Sequence, residues 1–261
     1  MALDLPATLS PSKVVSFREC ALAFKFSVID RLPEPPSEPA CKGTLVHKAL
    51  ELLYTRPQDE RTLDAALADL EVAKDEVMAS AEYSSLVVAD EAAFHASTST
   101  LVRRYFDLED PRTIRPIGLE LLLTAPLGES SKVRLRGIID RLELDDDGGL
   151  VVTDYKTGKV PGERQEQGRL TGVHFYSYLC ESLFGQRPSR IQLLYLGEPV
   201  AIVATPNEQS TRGLEKKVSA IWSAIERACE HDDFRPKPSA LCSWCSFKEH
   251  CPAFGGASLA S

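Results

Sequence analysis

Two apolar stretches, Lys132 to Leu144 and Leu150 to Tyr155, flank the turn Asp145-Asp146-Asp147-Gly148-Gly149, a pattern that predicts a β-hairpin. With Leu144 facing Leu150 across this turn, counting back along both strands sets Asp140 opposite Asp154. Cross-strand partners share a face, and Lys156 joins them because strand side chains alternate with period two. A slip of one residue would send the two aspartates to opposite faces, so the register decides whether the three charges meet. Ile138, Ile139, Val151 and Val152 make both strands apolar and place the charged trio beside a buried layer.

Two carboxylates held together in a half-buried sheet repel one another and lose hydration unless a cation lies between them. Magnesium or manganese suits that place, since hard divalent ions take carboxylate oxygens, acidify a bound water and polarise a phosphate. Lys156 is then suited to hold the attacking water or to neutralise charge growing on a phosphorane.

Elsewhere the chain alternates between the two periodicities. Ser10 with Pro11 predicts a helix start, and Ser16 with Glu19 predicts a second, so Cys20 falls within or between two short helical segments. Pro33, Pro35, Pro36 and Pro39 read as a stiff connector outside any helix. Val46, Leu50 and Leu53 recur at helical spacing between Gly43 and Tyr54, with His47 beside that apolar face. Residues 61–106 are alanine-rich, acidic and helical in period, and 56–115 read as a helical insertion. A strand from Ile117 to Thr124 precedes the hairpin. After it come a helix from about Gln165 to Leu183, a strand from Arg190 to Leu196, a short strand near Val200 to Ala204 and a long helix from about Ser210 to Glu230. The expected fold is α/β, with a core of helix, three strands, helix and strand in a single domain over 1–261 and a cysteine-rich segment at 232–261.

A 261-residue chain that is 43% hydrophobic is not a disordered polymer. No apolar run approaches the roughly 20 residues of a membrane span. Met1 to Ser10 lacks both a basic and an apolar leader segment, so a cytoplasmic protein without membrane contact is expected. The net charge of -8 weighs against indiscriminate nucleic-acid binding. A binding groove needs only a local stripe, however. Lys132, Arg134 and Arg136 alternate on one strand face, with Lys156, Lys159, Arg164 and Arg169 following.

Seven cysteines are an odd count, and Cys242, Cys245 and Cys251 crowd into ten residues, so a disulfide framework fits poorly and a metal site fits better. Cys41, Cys180 and Cys229 lie in apolar or helical surroundings and read as small buried hydrophobes. The three clustered thiols need a fourth ligand, and spacing alone does not choose between zinc and iron.

Gly137-Ile138-Ile139-Asp140-Arg141 resembles the G-x-x-D-R motif, and Asp154-Tyr155-Lys156-Thr157-Gly158 the D-Y-K-T-G motif, of the RecB-like branch of the PD-(D/E)XK nucleases. Gly43-Thr44-Leu45-Val46-His47 resembles the G-x-x-x-H helix motif of the same branch, and the order of elements agrees with its restriction-endonuclease-like core. The resemblance implies that His47, Asp140 and Asp154 bind a divalent metal together with the Tyr155 backbone carbonyl, and that Lys156 is the catalytic lysine. Glu120, on the strand before the hairpin, is a weaker candidate for a further acid. The family's Q-x-x-x-Y motif finds its tyrosine in Tyr176, which joins the expected catalytic set, but Gly172 stands at the glutamine position. Gln165 or Gln167 could reach in from the helix start instead. The resemblance covers about residues 10–55 and 117–252.

A subset of that branch, including AddB-type and CRISPR-associated nucleases, holds a four-iron, four-sulfur cluster with one cysteine ahead of the core and three behind. Cys20, Cys242, Cys245 and Cys251, with Pro252 following, resemble that arrangement, which implies an iron-sulfur staple joining the two terminal segments. The function implied is a magnesium- or manganese-dependent deoxyribonuclease, acting as an exonuclease on single strands or strand ends in recombination, repair or CRISPR adaptation, with a helicase or repair partner. A non-catalytic nucleic-acid-binding module of the same fold and a zinc-stapled interaction protein are the alternatives. Intact Asp140, Asp154 and Lys156 argue for the enzyme.

Overall fold

A computed structural model describes residues 3–128, 133–160, 162 and 166–256, with the backbone alone for 166–171. Strands β1 (Pro116–Pro126), β2 (Arg134–Leu144) and β3 (Leu150–Lys156) lie side by side in that order and continue into β4 (Arg190–Tyr195) and β5 (Val200–Ala204) to give one five-stranded sheet. The turn between β2 and β3 closes on Asp145. Its Oδ1 accepts hydrogen bonds from the backbone N–H of Asp147 at 3.1 Å and of Gly149 at 2.6 Å, while Gly148 takes the left-handed conformation at φ 78°. This turn fixes the antiparallel register from Leu144 opposite Leu150 to Arg141 opposite Thr153. Asp140 and Asp154 stand one step further along the same two strands.

β3 and β4 run parallel and are connected through α6 (Glu166–Phe184), the crossover that parallel neighbours require. Residues 150–155 of β3 are all buried, as expected of a strand covered on both faces. β5 returns antiparallel to β4.

The described residues fall into two compact units. The first comprises Met1–Pro35, Thr124–Gly137 and Glu208–Ser261, and the second Pro36–Leu123 and Ile138–Asn207. In the second unit, α3 (Glu38–Thr55) packs on α4 (Leu63–Met78) and α5 (Glu91–Tyr105), the helices expected within the insertion. Leu45, Val46, Ala49, Leu50 and Leu53 of α3 are fully buried and drive that packing. In the first unit, α1 (Pro11–Glu19) packs against α7 (Glu208–His231), and Leu9 forms a parallel bridge with Leu135. Three short 3-10 turns follow α7, over Ala240–Trp244, Lys248–His250 and Pro252–Phe254.

Two local expectations are corrected. Pro39 lies inside α3, whose N-cap is Ser37. Proline is tolerated in a first turn, where its missing N–H has no helical acceptor to lose. Ser16 does not start a helix. α1 runs through it to Glu19, and the break comes at Cys20, whose extended backbone separates α1 from α2 (Ala21–Phe24).

Candidate active site

The second unit assembles its charged residues from three strands and two helices. α3 carries His47 into contact with β3: His47 Nε2 donates to the Tyr155 carbonyl oxygen at 3.1 Å, and the two rings meet edge to face at 5.9 Å. On the other side of the imidazole, Nδ1 lies 3.5 Å from Asp140 Oδ2 and 3.8 Å from Glu120 Oε1. Asp140 Oδ2 also accepts the Tyr155 backbone N–H at 2.6 Å, so the hairpin register fixes this carboxylate against β3. His47, Glu120 and Asp140 each offer a ligand atom within 4.8 Å of the other two, and among the described residues no other such set of three or more His, Cys, Asp or Glu is found.

Asp154 and Lys156 continue the site along β3. Lys156 Nζ lies 2.5 Å from Asp154 Oδ2, and α6 supplies Tyr176, whose hydroxyl donates to Asp154 Oδ1 at 2.9 Å. The Asp154 side chain is 4% exposed and that of Lys156 is 44% exposed, so the carboxylate is buried and the lysine side chain lies at the border with solvent. Despite its ion pair, Asp154 Oδ2 has no partner in hydrogen-bond geometry.

The protonation states follow from this crowding. Burial opposes the charge on His47, but the Asp140 and Glu120 carboxylates outweigh it and lift the imidazole to about 10. Burial raises Asp140 above the usual carboxylate range, and the charge of Asp154 adds to the rise while His47 opposes it. Lys156 is raised because the pull of Asp154 exceeds the cost of burial, so it stays an ammonium at neutral pH. Burial, then Asp154, holds the Tyr176 phenol well above its ordinary value and therefore protonated.

Two carboxylates and one imidazole, Glu120, Asp140 and His47, are a donor set suited to a hard divalent cation, and the buried Asp154 Oδ2, which lacks a hydrogen-bond donor, belongs to the same strand pair. Glu120 is the residue that sequence periodicity undervalued. Its backbone is left-handed at φ 43°, which breaks the alternation of β1 and turns the side chain toward His47. The loop following Lys156 is held by Gly197. A side chain there would come within 2.6 Å of the Gly158 carbonyl oxygen, so only glycine permits this approach.

The remaining sequence candidates are placed as follows. Cys20, Cys242, Cys245 and Cys251 are half-buried free thiols of the first unit, whereas Cys41, Cys180 and Cys229 are buried. Gly172 lies on α6 with open space where a side chain would begin. Gln165, Lys132 and Arg164, and the side chains of Gln167 and Arg169, lie outside the described residues. Arg134 and Arg136 are exposed on β2 with Leu135 buried between them, as the alternation requires. No described helix is long and apolar enough to cross a membrane.

The sequence profile of the PD-(D/E)XK nuclease superfamily, whose members use divalent metals, matches residues 8–252. No curated protein matches the sequence. Among solved structures, the crystal structure of SSO0001 is similar at 12% identity and a TM-score of 0.47, covering 96% of this chain and 88% of that one. The crystal structure of a "Putative exonuclease" from Eubacterium rectale is similar at 10% identity and a TM-score of 0.53, covering 91% of this chain and 92% of that one. The latter likeness is one of fold. With nearly its whole length matched by the profile, the chain belongs to the PD-(D/E)XK nuclease superfamily.

Proposed function

We propose that this chain is a magnesium- or manganese-dependent deoxyribonuclease of the RecB-like branch, acting as an exonuclease on single strands or strand ends in recombination, repair or CRISPR adaptation. The observation that carries the reading is the meeting of His47, Asp140 and the Tyr155 carbonyl beside the Asp154–Lys156 pair. His47, Glu120, Asp140, Asp154 and the Tyr155 carbonyl would hold the metal. A bound divalent ion supplies an acidified water and a polarised phosphate.

The protein's own residues divide the other tasks. Lys156, kept protonated by Asp154, serves as a fixed positive charge for the anionic phosphorane and not as the proton acceptor. Tyr176 occupies one oxygen of Asp154, and Lys156 pairs with the other. The half-exposed Lys156 is the group best placed to meet a substrate from solvent. The name of the Eubacterium rectale neighbour supports the exonuclease part of this reading.

We assign Cys20, Cys242, Cys245 and Cys251 to a four-iron, four-sulfur staple. Within the first unit, the tail carrying the last three cysteines approaches the segment carrying the first. The Phe26 and Phe247 rings meet at a tilt, with centroids 5.7 Å apart, and Lys237 Nζ donates to the Arg18 carbonyl at 3.2 Å. The Ser239 backbone N–H already donates to Cys242 Sγ at 3.3 Å, the kind of bond that steadies a thiolate. A helicase or another repair protein would be the partner that delivers DNA ends.

Cleavage of end-labelled linear DNA and of a closed single-stranded circle, in magnesium and in manganese, tests the enzymatic reading. Metal-dependent degradation of the linear DNA that spares the circle is expected. Equal cleavage of both would reject the exonuclease assignment, and no cleavage in either metal would reject the nuclease. Iron, sulfide and zinc analysis of anaerobically purified protein tests the staple, with zinc in place of iron overturning it.

A further inference from the structure

The site already described uses Asp140 but not its neighbour Arg141, the largest fully buried side chain among the described residues. An arginine without solvent costs several kcal/mol unless its charge and donors are met, so its surroundings reveal what it is retained to hold. Glu109, from the loop after α5, meets it with both oxygens, at 2.8 Å from Nη1 and 2.9 Å from Nη2. Nη1 also reaches the hydroxyls of Tyr54 at 2.8 Å and Tyr155 at 3.1 Å, and Nη2 that of Thr153 at 3.0 Å. Gln192 of β4 closes the ring, donating to Glu109 at 2.9 Å and to Thr153 at 2.8 Å.

The partners of Arg141 sit on the elements that carry the candidate metal ligands. Tyr54 lies on α3 with His47, about two turns further along. Tyr155 supplies the carbonyl that faces His47, and Thr153 precedes Asp154. Arg141 itself follows Asp140. One planar guanidinium thus bridges α3, β2 and β3 from the side of the sheet opposite Asp140.

We propose that Arg141 is a positioning residue for the metal site, fixing the spacing of α3 against β3 so that His47, Asp140, Asp154 and the Tyr155 carbonyl converge. The inference rests on the metal-dependent reading given above. Removing groups that orient metal ligands typically changes metal affinity about 10- to 100-fold, and Arg141 acts on the ligands through Tyr54, Thr153 and Tyr155. Lysine is no substitute, because a single ammonium cannot reach both the tyrosine side and the threonine side of the ring.

Isothermal calorimetry of manganese binding, with the melting temperature of the chelated protein measured in parallel, tests the inference. Arg141→Lys is expected to weaken manganese binding by at least about tenfold. Tyr54→Phe and Tyr155→Phe keep the packing rings and remove only the hydroxyls, so they remain informative if the arginine variant fails to fold. Each is expected to weaken manganese binding severalfold. Leu70→Ala, a core truncation on α4 that removes none of these hydrogen bonds, is expected to lower the melting temperature while leaving manganese affinity unchanged. The proposal is overturned if the two tyrosine variants bind manganese like the wild type, or if Leu70→Ala weakens binding as much as they do. Absence of manganese binding by the wild type would overturn the metal-dependent reading and this inference with it.

Discussion

His47 and Tyr155, 108 positions apart, meet through a 3.1 Å hydrogen bond from the imidazole Nε2 to the backbone carbonyl. The contact joins a helix to the strand that carries Asp154 and Lys156, and it leaves the other imidazole nitrogen among carboxylates. The behaviour of the site follows from that junction.

Glu120 combines a place among the ligands with a left-handed backbone, a conformation that costs a non-glycine residue about 1 kcal/mol or more. Glu120→Gly should therefore weaken manganese binding, while in the chelated protein the relief of about 1 kcal/mol of backbone strain offsets the lost contact with His47. Denaturant melts and calorimetry read the two effects separately. A variant that binds manganese unchanged would remove Glu120 from the ligand set.

In the metal-free protein, His47 is raised from 6.5 to about 10. A group whose value is raised on folding stabilises fully below its unfolded value and loses that contribution as pH rises through its folded value. The melting temperature of the chelated protein should therefore fall between pH 6.5 and 10, and His47→Gln should flatten this dependence. Divalent metal, which competes with the proton for the imidazole, should bind more tightly as pH rises over the same interval. A pH-independent melt that His47→Gln leaves unchanged would contradict the assigned contacts.

The hairpin was legible because two independent signals agree on it: the Asp-Gly turn chemistry and the apolar strands that place Asp140 and Asp154 on one face. His47 was legible as a residue beside an apolar helix face, but its contact with the Tyr155 carbonyl depends on how α3 meets β3, which no local pattern encodes. Glu120 was legible only as a weaker candidate because φ 43° interrupts the alternation on which strand reading relies. Arg141 stands in the G-x-x-D-R motif, but the ring it holds was not legible. Its partners Tyr54, Glu109, Thr153 and Gln192 are scattered along the chain and carry no shared spacing. Pro39 was misread because proline's exclusion from helix interiors does not extend to a first turn.

Gly172 lies on α6, and a side chain added there meets nothing within 4 Å. Gly172→Ala should stabilise the protein by about 1 kcal/mol through helix propensity alone. Gly172→Gln should add, beyond that gain, tighter binding of single-stranded DNA in a fluorescence-anisotropy titration. Equal DNA affinity for the alanine and glutamine variants would mean that the glutamine position has no role here.

Closing the chain between Cys20 and Cys242 through a metal cluster constrains a loop of more than two hundred residues, which removes on the order of 5 kcal/mol of unfolded-state entropy if treated like a disulfide. Cys20→Ser should give colourless protein with a lower melting temperature and early proteolysis before residue 30 and after Phe234. Cys180→Ser, at a buried position outside the proposed staple, should keep its colour. Full iron content and unchanged melting in Cys20→Ser would refute the staple.

If Asp140, Asp154 and Lys156 form a nuclease centre, the protein should cleave end-labelled single-stranded DNA in manganese. Wild type, Lys156→Ala and Asp154→Ala should be prepared side by side. Wild-type cleavage should stop on chelation, Lys156→Ala should lose about 10²- to 10³-fold in rate, and Asp154→Ala should fall to background with its fold intact. Cleavage at the wild-type rate by either variant would contradict the account.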